Sequence, residues 1–167
     1  MSKNKSIFVV FSALVLALAS IWVLLRPKET DVYFAALSPY SNFSSVLTSK
    51  PSTCNVTTKS IPGIPSELVT SFLEANDSSA KPISLKVLTS KFAVADGSKL
   101  KNAALAGVSP QTLISGPRTL VYLSRVGYSI NRSDALFCAE GLGSGLFHLR
   151  YQNGRWQQIQ MITIGII

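Results

Sequence analysis

Apolar residues run unbroken by charge from Ile7 to Leu25, IFVVFSALVLALASIWVLL, with two serines as the only polar side chains. As a helix, such a run spans about 28 Å, close to the ~30 Å hydrocarbon core of a bilayer. Lys3 and Lys5 precede it, and Arg26, Pro27 and Lys28 end it. The expectation is a single-pass anchor over residues 7–25, with a cytoplasmic tail (1–6), a linker (26–31) and an extracytoplasmic domain (32–167). Ala17-Leu18-Ala19 would suit signal-peptide cleavage, but the apolar run continues through Trp22 and Leu25. Lysine and arginine are balanced across the segment, so the terminal amine and the short tail decide for a cytoplasmic N-terminus.

Beyond the anchor the pattern changes. VYFAAL (32–37) is a short apolar stretch of ambiguous type, and SVLTS and CNVTTKS offer short β-branched strands within a Ser/Thr/Pro-rich region. Pro62, Gly63 and Pro65 break regular structure. Leu68, Val69, Phe72 and Leu73 then recur at helical spacing, with Ser66 placed to cap and Asn76 and Pro82 to stop the helix. Residues 83–95 look extended. Residues 98–106 suit a short helix capped by Ser98, with Leu100, Ala103 and Ala104 inward.

The C-terminal third reads most clearly. TLVYLSRVGYS (119–129) and DALFCAE (134–140) are β-rich, GLGSG (141–145) connects them onward, and LFHLRYQ (146–152) alternates apolar and polar. Asn153-Gly154 is the strongest two-residue hairpin signal. RWQQIQMITI (155–164) completes a meander, with Trp156, Ile162 and Ile164 expected on one face. The fold class that follows is α+β: a transmembrane helix, then a small domain with a C-terminal antiparallel β-meander of four strands covered by one or two helices.

Composition modifies this picture little. The net charge of +8 is scattered, with 12 basic against 7 acidic residues from Thr30 onward and no run of four bases. No nucleic-acid partner is expected. Cys54 and Cys138 lie in the exported part, where an oxidising compartment would permit a disulfide; two buried thiols are the alternative. Four Asn-x-Ser/Thr triplets, at Asn42, Asn55, Asn76 and Asn131, receive no function.

The C-terminal pattern "YLSRVGYS…DALFCAE…GSGLFHLRYQNGRWQQI" resembles a module of exported bacterial proteins without an assigned activity. That module runs Ser-Arg-Val-Gly-Phe, a turn, Ala-Leu-Val-Tyr, a Gly-rich loop, an aromatic strand and Asn-Gly-Lys-Trp. "SELVTSFLEAN" resembles its helix ending in Phe-Leu-x-x-Asn, and "VYFAAL" its first segment. The likeness spans residues 32–164 and is densest over 120–160. Tyr128 stands for the module's phenylalanine. The glycine loop lacks the cysteine pair of many relatives, so their disulfide does not transfer to Cys138. The resemblance implies export and fold, and no activity.

Chemistry is sparse. His148 is the sole histidine, so no His/Cys zinc cluster exists, and no metal or other cofactor is expected. The two cysteines make no CxxC motif, and GLGSG is neither a nucleophile elbow nor a P-loop. Arg125, lone on an apolar strand, is either a ligand-binding group or a structural one paired with Asp134, Glu67 or Glu74, since an unpaired buried charge is costly. The leading expectation is a binding or assembly module with the bilayer as one partner, through residues 7–25, and an unidentified protein as another. Alternatives are an exported enzyme using Arg125, Tyr128, Glu140 and His148, and an envelope immunity or inhibitor protein.

Overall fold

The computed structural model describes residues 28–40, 45–56, 60–90, 92–109, 114, 119–141 and 143–166. Among them no helix is long and apolar enough to cross a membrane; the expected anchor at 7–25 lies outside them.

Among the described residues, three α-helices and seven strands form the domain: α1 (Glu29–Leu37), β1 (Ser45–Ser49), α2 (Ser66–Ala75), β2 (Ala93–Val94), α3 (Gly97–Leu105), β3 (Thr119–Leu123), β4 (Gly127–Tyr128), β5 (Asp134–Glu140), β6 (Gly143–Gln152) and β7 (Arg155–Ile166). The fold is α+β with one mixed sheet, ordered β2-β1-β3-β5-β6-β7, while β4 pairs with β5 beside β3. The C-terminal strands form the antiparallel meander. The four-stranded, all-antiparallel expectation fell short because β1 pairs in parallel with both β2 and β3. Parallel neighbours are joined by long crossovers, which leave no local signature.

Side chains alternate across β5, and each set meets a different core. Ala135 and Phe137 face α1, where Val32, Tyr33, Ala36 and Leu37 pack with Leu123, Phe147, Leu149 and Trp156. Leu136 and Cys138 face α2, where Leu68, Val69 and Phe72 pack with Leu146. A third cluster of Val46, Leu100 and Leu120 lies under α3. The sheet is therefore a central layer with helices on both faces.

Several local expectations need correction. Residues 29–31, assigned to the linker, form the first turn of α1; Glu29 and Asp31 there suit the positive end of its dipole. Ser66 is the first residue of α2 rather than its cap, and the preceding Pro65 carbonyl accepts from Leu68 and Val69. Asp96, not Ser98, caps α3: its carboxylate accepts from the Ser98 amide at 2.9 Å. Leu100 is buried as expected, whereas Ala104 is exposed. Within CNVTTKS, Cys54 and Asn55 both adopt left-handed φ (51° and 60°), which makes a turn where a strand was expected; residues 57–59 lie outside the described set. Residues 86–90 form a 3-10 helix and only Ala93–Val94 pair as a strand. Gly143–Gly145 belong to β6. Asn153 and Gly154, both at positive φ, form the two-residue turn between β6 and β7.

β7 departs most instructively. Gln160 pairs with His148 but Gln158 with Leu149, so Ile159 is an extra residue. This β-bulge reverses the side-chain phase. Trp156 consequently joins the α1 core while Ile162 and Ile164 pack against the α2 core, not on the one face expected of them.

Candidate functional site

The strand expected over 119–129 is interrupted at Ser124, Arg125 and Val126, between β3 and β4. Backbone groups freed there are bonded by side chains and by the backbone of β5, as buried polar groups must be. The Ser124 amide donates to the Cys138 carbonyl at 2.9 Å, and the Cys138 amide donates to Ser124 Oγ at 2.8 Å. Tyr33 Oη donates to the Ser124 carbonyl. Asn76, only 5% exposed, faces Arg125 like a neighbouring strand: its Oδ1 accepts from the Arg125 amide at 2.7 Å and its Nδ2 donates to the Arg125 carbonyl at 2.9 Å. The same amide group accepts from the Ser52 amide and donates to the Phe72 carbonyl. Gly127 follows because α2 crosses here: a Cβ on it would lie 2.3 Å from the Phe72 nitrogen. The Ser-Arg-Val-Gly sequence thus forms a corner that docks α2.

Arg125 points from this corner to α1. Its Nε and Nη2 donate to Glu29 Oε1 at 3.1 and 3.0 Å, and Nη1 donates to the Lys81 carbonyl at 3.3 Å. Its carboxylate partner is therefore Glu29, not Asp134, Glu67 or Glu74. The reason is that α1 begins early enough to cover the corner.

A cleft of about 480 Å³ opens here, lined by Glu29, Glu74, Asp77, Arg125, Tyr128 and Arg132 among others. Glu29 Oε2 and Tyr128 Oη are buried beside it without hydrogen-bond partners. Burial, reinforced by the Glu29 charge, raises the Tyr128 pKa well above its usual value, so the hydroxyl keeps its proton. The Arg132 guanidinium sits 5.1 Å above the Tyr128 ring centre, within cation–π range.

A second polar group lies inside the α2 face. Asp134 Oδ1 accepts from Arg150 Nε at 2.8 Å and meets His148 Nε2 at 3.0 Å, and Asp134 Oδ2 accepts from Ser133 Oγ at 2.7 Å. Burial works to raise the Asp134 pKa, but the bonds from Ser133, Arg150 and His148 together hold it below the usual carboxylate value. An ionised Asp134 accepts only, so Nε2 carries the proton. His148 Nδ1 is then buried and unpartnered, on a residue 1% exposed. Sealed in this way, the pair has the Asp-His half of a triad and no approach for a substrate.

The third group surrounds Cys54 and Cys138, which are disulfide-bonded with Cα atoms 6.3 Å apart. Ser52 Oγ donates to Glu140 Oε1, and Cys54 Sγ lies 3.2 Å from the same oxygen. These two sulfurs and Glu140 are the one set of metal-ligating atoms gathered within 4.8 Å among the described residues. The S–S bond removes the thiolates that a metal would need.

Arg125, Tyr128, Glu140 and His148, proposed together as an enzyme site, are thus divided among three groups. Arg125 and Tyr128 share the cleft; Glu140 sits beside the disulfide; His148 is enclosed with Asp134. Glu29, Asn76 and Arg132 were not anticipated. Asn76 carried a signal as the helix-ending residue, whereas Glu29 lies in a segment that looked like linker. No family model, curated protein or solved structure matches the chain.

Proposed function

We propose that the chain is a single-pass membrane protein, anchored through residues 7–25 with its N-terminus in the cytoplasm, whose α+β domain serves outside the cytoplasm as a binding or assembly module. The observation that carries this reading is the Cys54–Cys138 bond. Disulfides persist in oxidising compartments and are rare in the cytosol, so a cross-linked core agrees with an apolar N-terminal run that reads as an export signal and anchor. The cleft supports the binding role, because it presents charged groups that the fold itself leaves unused.

Protease added to the outer face of intact membranes should degrade the domain and leave an anchored fragment. Alkylation of the unfolded protein should label both cysteines only after reduction. A domain fully protected from outside protease, or cysteines fully labelled without reductant, would overturn the reading.

A further inference from the structure

We propose that the Arg125 cleft is held at the membrane surface and takes a zwitterionic lipid headgroup, its ammonium against Glu74 and Asp77 and its phosphate against Arg132. The inference rests on the anchored reading above.

Position comes from chain length. Leu25 ends the apolar run, and Glu29, which lines the cleft, follows four residues later. Four residues reach at most about 14 Å even fully extended. Part of the cleft rim is therefore kept within about 14 Å of the hydrocarbon core of any bilayer that holds residues 7–25, in or just above the headgroup layer. Glu29 is also clamped by Arg125, so the rim is tied to the body of the domain.

Ligand class comes from the charges that remain. Arg125 is occupied by Glu29 and the Lys81 carbonyl, so it does not serve as the anion-binding group. Arg132 has no carboxylate partner among the described residues, and the Tyr128 ring supports its guanidinium. Glu74 has no side-chain partner there. Asp77 bonds Ser79 through Oδ1 alone, leaving Oδ2 open. The cleft thus offers one unspent cation and two unspent carboxylates, within a space of about 480 Å³. A wholly anionic headgroup would meet both carboxylates unfavourably. A group with both charges, an ammonium able to donate hydrogen bonds and a phosphate able to accept them from Arg132, satisfies all three.

The full chain in nanodiscs tests this. Discs made with phosphatidylethanolamine are compared with discs made with phosphatidylcholine at the same anionic fraction, since the quaternary amine of the latter has no N–H to donate. Amide hydrogen exchange over residues 76–80 and 127–133 should slow by about threefold or more in the ethanolamine discs. Glu74→Gln and Arg132→Gln, each first checked for an unchanged melting curve, should each abolish the difference. Equal exchange in both lipids, protection that follows anionic lipid alone, or protection that survives both substitutions would overturn the headgroup site while leaving the anchor intact. A chain that does not enter the discs at all would remove the anchored reading, and this inference with it.

Discussion

The two faces of the sheet are covered by helices of similar length but are fastened differently. On one face α2 lies against Gly127, with its end residue Asn76 bonded into the β3–β4 corner and a disulfide joining the preceding loop to β5. On the other, α1 is held by its apolar face, by one buried hydrogen bond from Tyr33 to the Ser124 carbonyl and by the Arg125–Glu29 pair. The first attachment depends on close fit and covalent bonding, which tolerate little change. The second depends mostly on burial, which is graded and non-directional, with one hydrogen bond from Tyr33 and a partly exposed ion pair at its end.

The largest expected effect is on the fastened face. Cys54→Ser opens a link between residues 84 apart, and should lower stability by about 4 kcal/mol in the chain-entropy model. Chemical denaturation of the purified domain reads this. Gly127→Ala forces a Cβ into the Phe72 backbone and should cost about 3 kcal/mol, visible as a lower melting temperature. On the α1 face, Arg125→Ala should cost only about 1 kcal/mol, because the pair is partly exposed and solvent screens it. If Arg125→Ala proved as damaging as Cys54→Ser, the contrast between the faces would collapse.

A pH titration sharpens the contrast further. The Asp134 carboxyl is held below its unfolded value by bonds within the α2 face, so its contribution is present above the unfolded carboxylate pKa of about 3.9. It is lost as pH falls through the folded value. The wild type should therefore lose more stability than Asp134→Asn as pH falls from about 4 to about 2. Parallel stability curves would show that Asp134 adds nothing to this face.

Much of this architecture was legible in the residue pattern, and the parts that were not share a cause. The meander and the Asn153-Gly154 turn are local: alternation and turn chemistry act over a few residues. α2 was legible because Leu68, Val69 and Phe72 repeat on one face. β1 and β3 were legible as strands, but the parallel pairing of β1 with β2 and β3 escaped because it is decided by distant segments. The phase of β7 escaped because its extra residues, Ile159 and Ile164, look like any other strand residue. The site followed the same rule. Arg125 stood out as a lone charge, but its partner Glu29 is 96 positions away, in a stretch whose composition resembled linker. Tyr128 and His148 were noticed, yet alternation alone could not show that the helices would place them in different surroundings.

Asn76 also makes the corner depend on the chemistry of one amide. Its amide nitrogen donates to two carbonyls, Phe72 and Arg125, while its oxygen accepts from two amides, Ser52 and Arg125. Hydrolysis of that amide to a carboxylate changes one atom's identity and turns the donor into an acceptor. The ageing product would then aim negative charge at two carbonyl oxygens inside the fold. Hydrolysis at this one side chain would therefore loosen the join between α2 and the sheet, and the four bonds that hold the amide in place also hold it away from that reaction.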